Sequence, residues 1–171
     1  TSGTLPAGLT FVDNNACNNA ADGPCNDTGT LGGTAAAGTG GVYQLQFTAT
    51  DGSNDVDVVQ AFTLVVNETP SFTSANNITC IEVSANCDFD VTARGYPLPV
   101  LAQSGALPSL LDGLAGTNST YSIFGVADAG TAGSYPLTFT ASNGVGPAVS
   151  QNFTLTVVTA ANAAAINASI R

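Results

Sequence analysis

The sequence predicts an all-β chain of two tandem β-sandwiches, the first of them incomplete. Apolar and polar residues alternate with period two through Thr-, Val- and Phe-rich runs, and Gly-, Asn- and Asp-rich turns separate those runs. A pattern spelled over 2–66 also returns over 104–157. Ser2-Gly3-Thr4-Leu5-Pro6 becomes Ser104-Gly105-Ala106-Leu107-Pro108, and Tyr43-Gln44-Leu45-Gln46-Phe47 becomes Tyr135-Pro136-Leu137-Thr138-Phe139. Phe62-Thr63-Leu64-Val65-Val66 becomes Phe153-Thr154-Leu155-Thr156-Val157. Internal repetition marks an array of modules. The second copy is preceded by residues 70–103, for which the first shows no counterpart. The first module is therefore expected to be completed from elsewhere, by strands of upstream sequence or of a neighbouring subunit.

Residues 1–67 form the incomplete module, with a cysteine-bearing insertion at 14–27. Tyr43, Leu45, Phe47 and Ala49 share one strand face, and Phe62, Leu64 and Val66 share another. Asp51-Gly52-Ser53-Asn54 is the turn between them. Asn67-Glu68-Thr69-Pro70 reads as a hinge, because Pro70 holds the chain extended as the next module begins. Residues 68–158 form the complete module, with early strands expected over 71–75, 79–84, 87–93 and 121–126. Tyr135, Leu137, Phe139 and Ala141 then alternate as before, and Asn143-Gly144-Val145-Gly146-Pro147 turns the chain into Phe153, Leu155 and Val157. Short strands with regular turn signals read as a sandwich. The Ala/Asn-rich tail, 159–171, has too little bulk for a core and reads as a linker, a short helix, or a strand lent to a neighbour through Ile166 and Ile170. Thr1 is not an initiator, so the sequence reads as a processed form or a segment of something longer.

Charge narrows the function. Twelve acidic residues face two basic ones, Arg94 and Arg171, for a net charge of −10. Nothing here would neutralise phosphates, which excludes nucleic acid and an anionic membrane surface as partners. No apolar run approaches the ~20 residues of a membrane helix, so no direct membrane insertion is expected. With no His and no Lys there is no Ser–His triad, Ser–Lys dyad or Schiff base. A glycosidase would need a carboxylate pair, but the two glutamates, Glu68 and Glu82, fall in the hinge and beside a hairpin. The expectation is a protein that is not an enzyme, with no catalytic residues and no cofactor.

The cysteines form two close pairs, Cys17/Cys25 and Cys80/Cys87. Four cysteines allow three connectivities, and sequence alone does not choose. Local pairing is the economical reading, with Cys80–Cys87 stapling a hairpin. Zinc is the rival, but its cysteine pairs stand two to four residues apart and no His is present. Disulfides imply an extracellular or cell-surface location. Asn26, Asn67, Asn77, Asn118, Asn152 and Asn167 begin Asn-X-Ser/Thr sequons and are candidate glycan acceptors. Asp51, Asp55 and Asp57 are the calcium candidates, with Asp88 and Asp90 a second acidic pair, but no spacing closes a calcium loop and solvated turns are expected.

Over 2–11, 29–34, 37–38, 47–52 and 62–66, and again across 70–158, the chain resembles the immunoglobulin-like (cadherin-like) tandem repeat of microbial surface and secreted proteins. The resemblance implies Ig-like sandwiches used as stalk, spacer, adhesin or fibre subunit, and it brings no catalytic residues with it. The cysteine insertion and the missing leading strands depart from the pattern. The expected role is structural: a subunit of a surface fibre, stalk or sheath that associates with identical subunits. The alternatives are an adhesin or glycan-binding module, and a spacer of a secreted polysaccharide-degrading enzyme.

Overall fold

The computed structural model describes residues 2–14, 28–49, 57–84 and 86–163. Twelve strands make up almost all regular structure among them. Internal packing divides the chain between Glu68 and Thr69.

In the first unit, β1 (Leu9–Asp13) pairs antiparallel with β2 (Gly29–Gly33), and β3 (Gly41–Ala49) with β4 (Val58–Val66). Ser2 adds one bridge to Gln46 of β3. Period two puts Tyr43, Leu45 and Phe47 on one face of β3, with Leu64 and Phe62 opposite the first two. Phe11 of β1 meets Phe47 at 5.0 Å, and Phe47 meets Phe62 at 5.6 Å, measured between ring centroids.

The second unit is a full sandwich. It comprises β5 (Glu68–Phe72), β6 (Asn77–Ile81), β7 (Phe89–Tyr96), β8 (Val100–Ser104), β9 (Leu111–Ala115), β10 (Thr120–Gly125), β11 (Gly133–Ser142) and β12 (Val149–Val158). One sheet runs β5-β7-β10-β9 and the other β6-β12-β11-β8. All register-matched pairs are antiparallel except β6 with β12, which is parallel. Setting β6 aside, this is the strand order of the Ig constant-type sandwich. Val91, Ile123, Phe139, Phe153, Leu155 and Val157 fill the space between the sheets. Phe89, Phe153, Phe139 and Tyr121 form a run of ring contacts of 5.3–5.4 Å through it.

Three expectations need correction. The segment around Pro70 is not only a hinge, because β5 begins at Glu68 and carries Pro70 inside it. An edge strand tolerates the missing N–H. Cys80 and Cys87 do form a disulfide, but not across a hairpin. β6 and β7 belong to different sheets, so the bond spans the turn where the chain passes from one layer to the other. The strands expected over 79–84 and 87–93 are displaced accordingly, since residues 82–84 and 86–88 make that passage. After β12, Thr159 caps a single helical turn over 160–163: its hydroxyl accepts from the Asn162 N–H at 3.2 Å.

The repeat also reproduces local devices. Tyr43 donates its hydroxyl to the Thr39 carbonyl at 2.6 Å, and Tyr135 to that of Thr131 at 2.7 Å. Each ties the start of a hairpin to the loop before it, as the tyrosine corner of Ig domains does. Tyr135→Phe is expected to lower the unfolding free energy by about 1 kcal/mol, read as a lower urea midpoint at unchanged slope. The repeated Ser-Gly pair has a reason as well. Gly3 and Gly105 sit at φ +95 and +103, and a Cβ there would collide with the carbonyl of Gln44 or of Pro136.

Candidate functional site: the open face of the first unit

The β3–β4 hairpin is the counterpart of β11–β12, and β1–β2 the counterpart of β9–β10, register included. Leu9 pairs with Gly33 as Leu111 pairs with Gly125. The Ser2–Gln46 bridge matches the end of β8, where Ser104 pairs with Thr138. Among the described residues of the first unit, no strand stands where β5, β6 and β7 stand in the second.

Burial records the difference. Phe153, Leu155 and Val157 are 1%, 0% and 2% exposed. Their repeat partner Phe62 is 39% exposed, and Leu64 and Val66 are only half-buried. Phe153 packs on Phe89 of β7 as well as on Phe139, whereas Phe62 packs on Phe47, the counterpart of Phe139. In the first unit only Pro6 and Leu45 among the described residues are buried. Among the described residues, no strand pairs with the edge of β4 that faces away from β3, over Thr63–Val66, where β12 receives β6.

The opposite face of β4 differs too. On β12 that face carries Ser150, Asn152, Thr154 and Thr156; on β4 the same positions are Val59, Ala61, Thr63 and Val65. Val65 stands opposite Val42 in the register, and both are exposed. A strand apolar on both faces is the pattern of one covered on both sides. An exposed apolar edge strand is a template for pairing.

The other candidate residues are scattered. Cys17, Cys25, Asn26, Asp51, Asp55 and Asn167 lie outside the described residues. Asp57 is exposed, and no metal-sized cluster of His, Cys, Asp or Glu forms among the described residues. Asn67, Asn77, Asn118 and Asn152 are all exposed. Asp88 and Asp90 line a shallow depression of about 280 Å³ with Phe89, Ser122, Ile123 and Phe124. There the Asp90 carboxylate accepts the Ser122 hydroxyl at 2.6 Å. Burial, and then the Asp112 charge, push the Tyr121 phenol above its ordinary value.

The two glutamates have roles that sequence reasoning missed. Glu68 accepts the N–H groups of Gly38 at 2.6 Å and Gly40 at 3.2 Å. Glu82 accepts that of Gly130, the counterpart of Gly38, at 3.1 Å. Each carboxylate clamps the loop before a tyrosine corner. The only available signal was that the sequence has two glutamates and two such loops.

A family model described as "Putative Ig domain" matches residues 1–67. No curated protein matches the chain. Among solved structures, a chimeric titin Z1Z2 functionalized with an exogenous peptide from decorin is similar at 18% identity and TM-score 0.44, over 56% of this chain and 99% of that one. The tandem Ig repeats of Dlar are similar at 24% identity and TM-score 0.43, over 54% of this chain and 50% of theirs. An endo-fucoidan hydrolase of glycoside hydrolase family 107 is similar at 17% identity and TM-score 0.44, over 93% of this chain and 23% of its own. Scores this low add nothing to the strand order itself. The family match covers the first unit alone, and the second unit has the strand order of an Ig-like sandwich.

Proposed function

We propose that the protein is an extracellular structural subunit of a surface fibre, stalk or sheath, in which strands from another chain complete the first Ig-like module. One observation carries this reading: the same hairpin is sealed in the second unit and open in the first, with Phe62 at 39% exposure against 1% for Phe153. Burial of that face would supply the driving force for association, and the free edge of β4 would supply main-chain pairing. The role is mechanical, without catalysis or cofactor. The buried disulfide suits an oxidising compartment, and the exposed sequons at Asn67, Asn77, Asn118 and Asn152 suit a surface that carries glycans.

Electron microscopy of native, never-refolded material tests the reading. Regular filaments or sheets whose axial repeat matches one or two sandwiches are expected. Dispersed single particles at all concentrations would overturn it.

A further inference from the structure

We propose that residues 164–171 of one copy pair in parallel with the free edge of β4 in a second copy, in the place that β6 takes beside β12. This rests on the reading of the first unit as a module completed by another chain, and it names the segment that begins the completion.

The second unit supplies the template. Along β6, Ile78 stands beside Leu155, Thr79 beside Thr156 and Cys80 beside Val157. Ile78 and Cys80 point inward, while Thr79 faces solvent. The slot on β4 has the same inward pair, Leu64 and Val66. Its occupant must therefore alternate, with a branched apolar residue followed two positions later by a small one and a polar residue between them.

The tail reads Ala165-Ile166-Asn167-Ala168-Ser169-Ile170. Ile166 takes the place of Ile78, Asn167 that of Thr79, and Ala168 that of Cys80. This sets Ile166 beside Leu64, Asn167 beside Val65 and Ala168 beside Val66. Ile170 shares the inward parity and extends the apolar row. The segment has the length of β6 with residues to spare, and a five-residue strand spans only about 17 Å.

Charge favours the same pairing. Every charged residue of 1–68 is acidic, whereas the only charged residue of 159–171 is Arg171. Within the contact, Arg171 of one copy would meet the acidic first unit of another, a local attraction set against the mutual repulsion of two chains of net charge −10. Because the tail leaves one copy and enters the next, the contact is heterologous and propagates into an open chain of subunits.

The test compares the full chain with one ending at Ala163. Both are first shown to keep the second unit folded by near-ultraviolet circular dichroism, and both are then sized by sedimentation and imaged. The full chain is expected to assemble, the shortened one to remain monomeric, and a synthetic peptide of residues 160–171 to bind the shortened chain. If both assemble equally, the tail is not the occupant, while the structural reading stands. If the full chain itself stays monomeric, that reading falls and takes the tail with it. A second variant fixes register and origin. Val65→Cys with Asn167→Cys should form a ladder of disulfide-linked multimers under mild oxidation. Closure within single chains, or no link at all in the assembled material, would overturn pairing between copies at this register.

Discussion

Phe153→Ala is expected to cost about 3–5 kcal/mol, whereas Phe62→Ala, at the same place in the repeat, should cost the isolated chain far less. Phe153 is sealed between the sheets, 5.4 Å from the ring of Phe89 and 5.3 Å from that of Phe139. Truncation there removes the contacts of a whole ring and leaves a cavity that two hydrogen-bonded sheets cannot close. Among the described residues Phe62 has Phe47 as its one ring neighbour, and it is 39% exposed. Solvent can fill the space it leaves. The order should invert for association: Phe62→Ala should weaken assembly sharply and Phe153→Ala should not, provided the second unit remains folded. Urea unfolding of each variant, set beside its sedimentation profile, separates the two effects. Equal stability losses at both sites would mean that the first unit is as closed as the second.

Removing the disulfide is the second large effect. Cys80→Ala with Cys87→Ala should destabilise the second unit by roughly 2–3 kcal/mol, the chain-entropy value for a loop this short. Both sulfurs are buried in the core, so the lost side-chain volume adds to the cost. The bond also holds the passage between layers, where Val83 donates its N–H to the Ala127 carbonyl and Cys87 its own to that of Gly125. Beyond that global loss, local opening should appear as an extra gain in hydrogen exchange at these two amides relative to the rest of the unit. No extra gain there would show that the hydrogen bonds alone maintain the passage.

The repeated strands were legible because their alternation is strict and occurs twice. Tyr43-Gln44-Leu45-Gln46-Phe47 and its copy both fall inside strands, as do Phe62–Val66 and its copy. β8 and β9 were not legible. Val100-Leu101-Ala102-Gln103-Ser104 and Leu111-Asp112-Gly113-Leu114-Ala115 are short edge strands with small residues or a glycine, and they hold their place by pairing with β11 and β10. Layer assignment was hidden as well. Nothing in Cys80-Ile81-Glu82-Val83-Ser84 says that the chain changes sheets, because a hairpin and a crossover use the same turn residues. The open face was half legible. The missing counterpart of 70–103 could be counted, but that Phe62 stays exposed while Phe153 does not depends on what packs over each.

The parallel contact between β6 and β12 has a consequence under load. β6 lies near the start of the second unit and β12 is its last strand. A pull applied through the two ends of the sandwich draws these parallel neighbours past each other along their length. The hydrogen bonds between Asn77–Ile81 and Thr154–Val158 then resist together, in shear, instead of opening one at a time as in a hairpin peeled from its tip. Rupture would require the whole ladder to fail at once, making this short patch the mechanical clasp of the module.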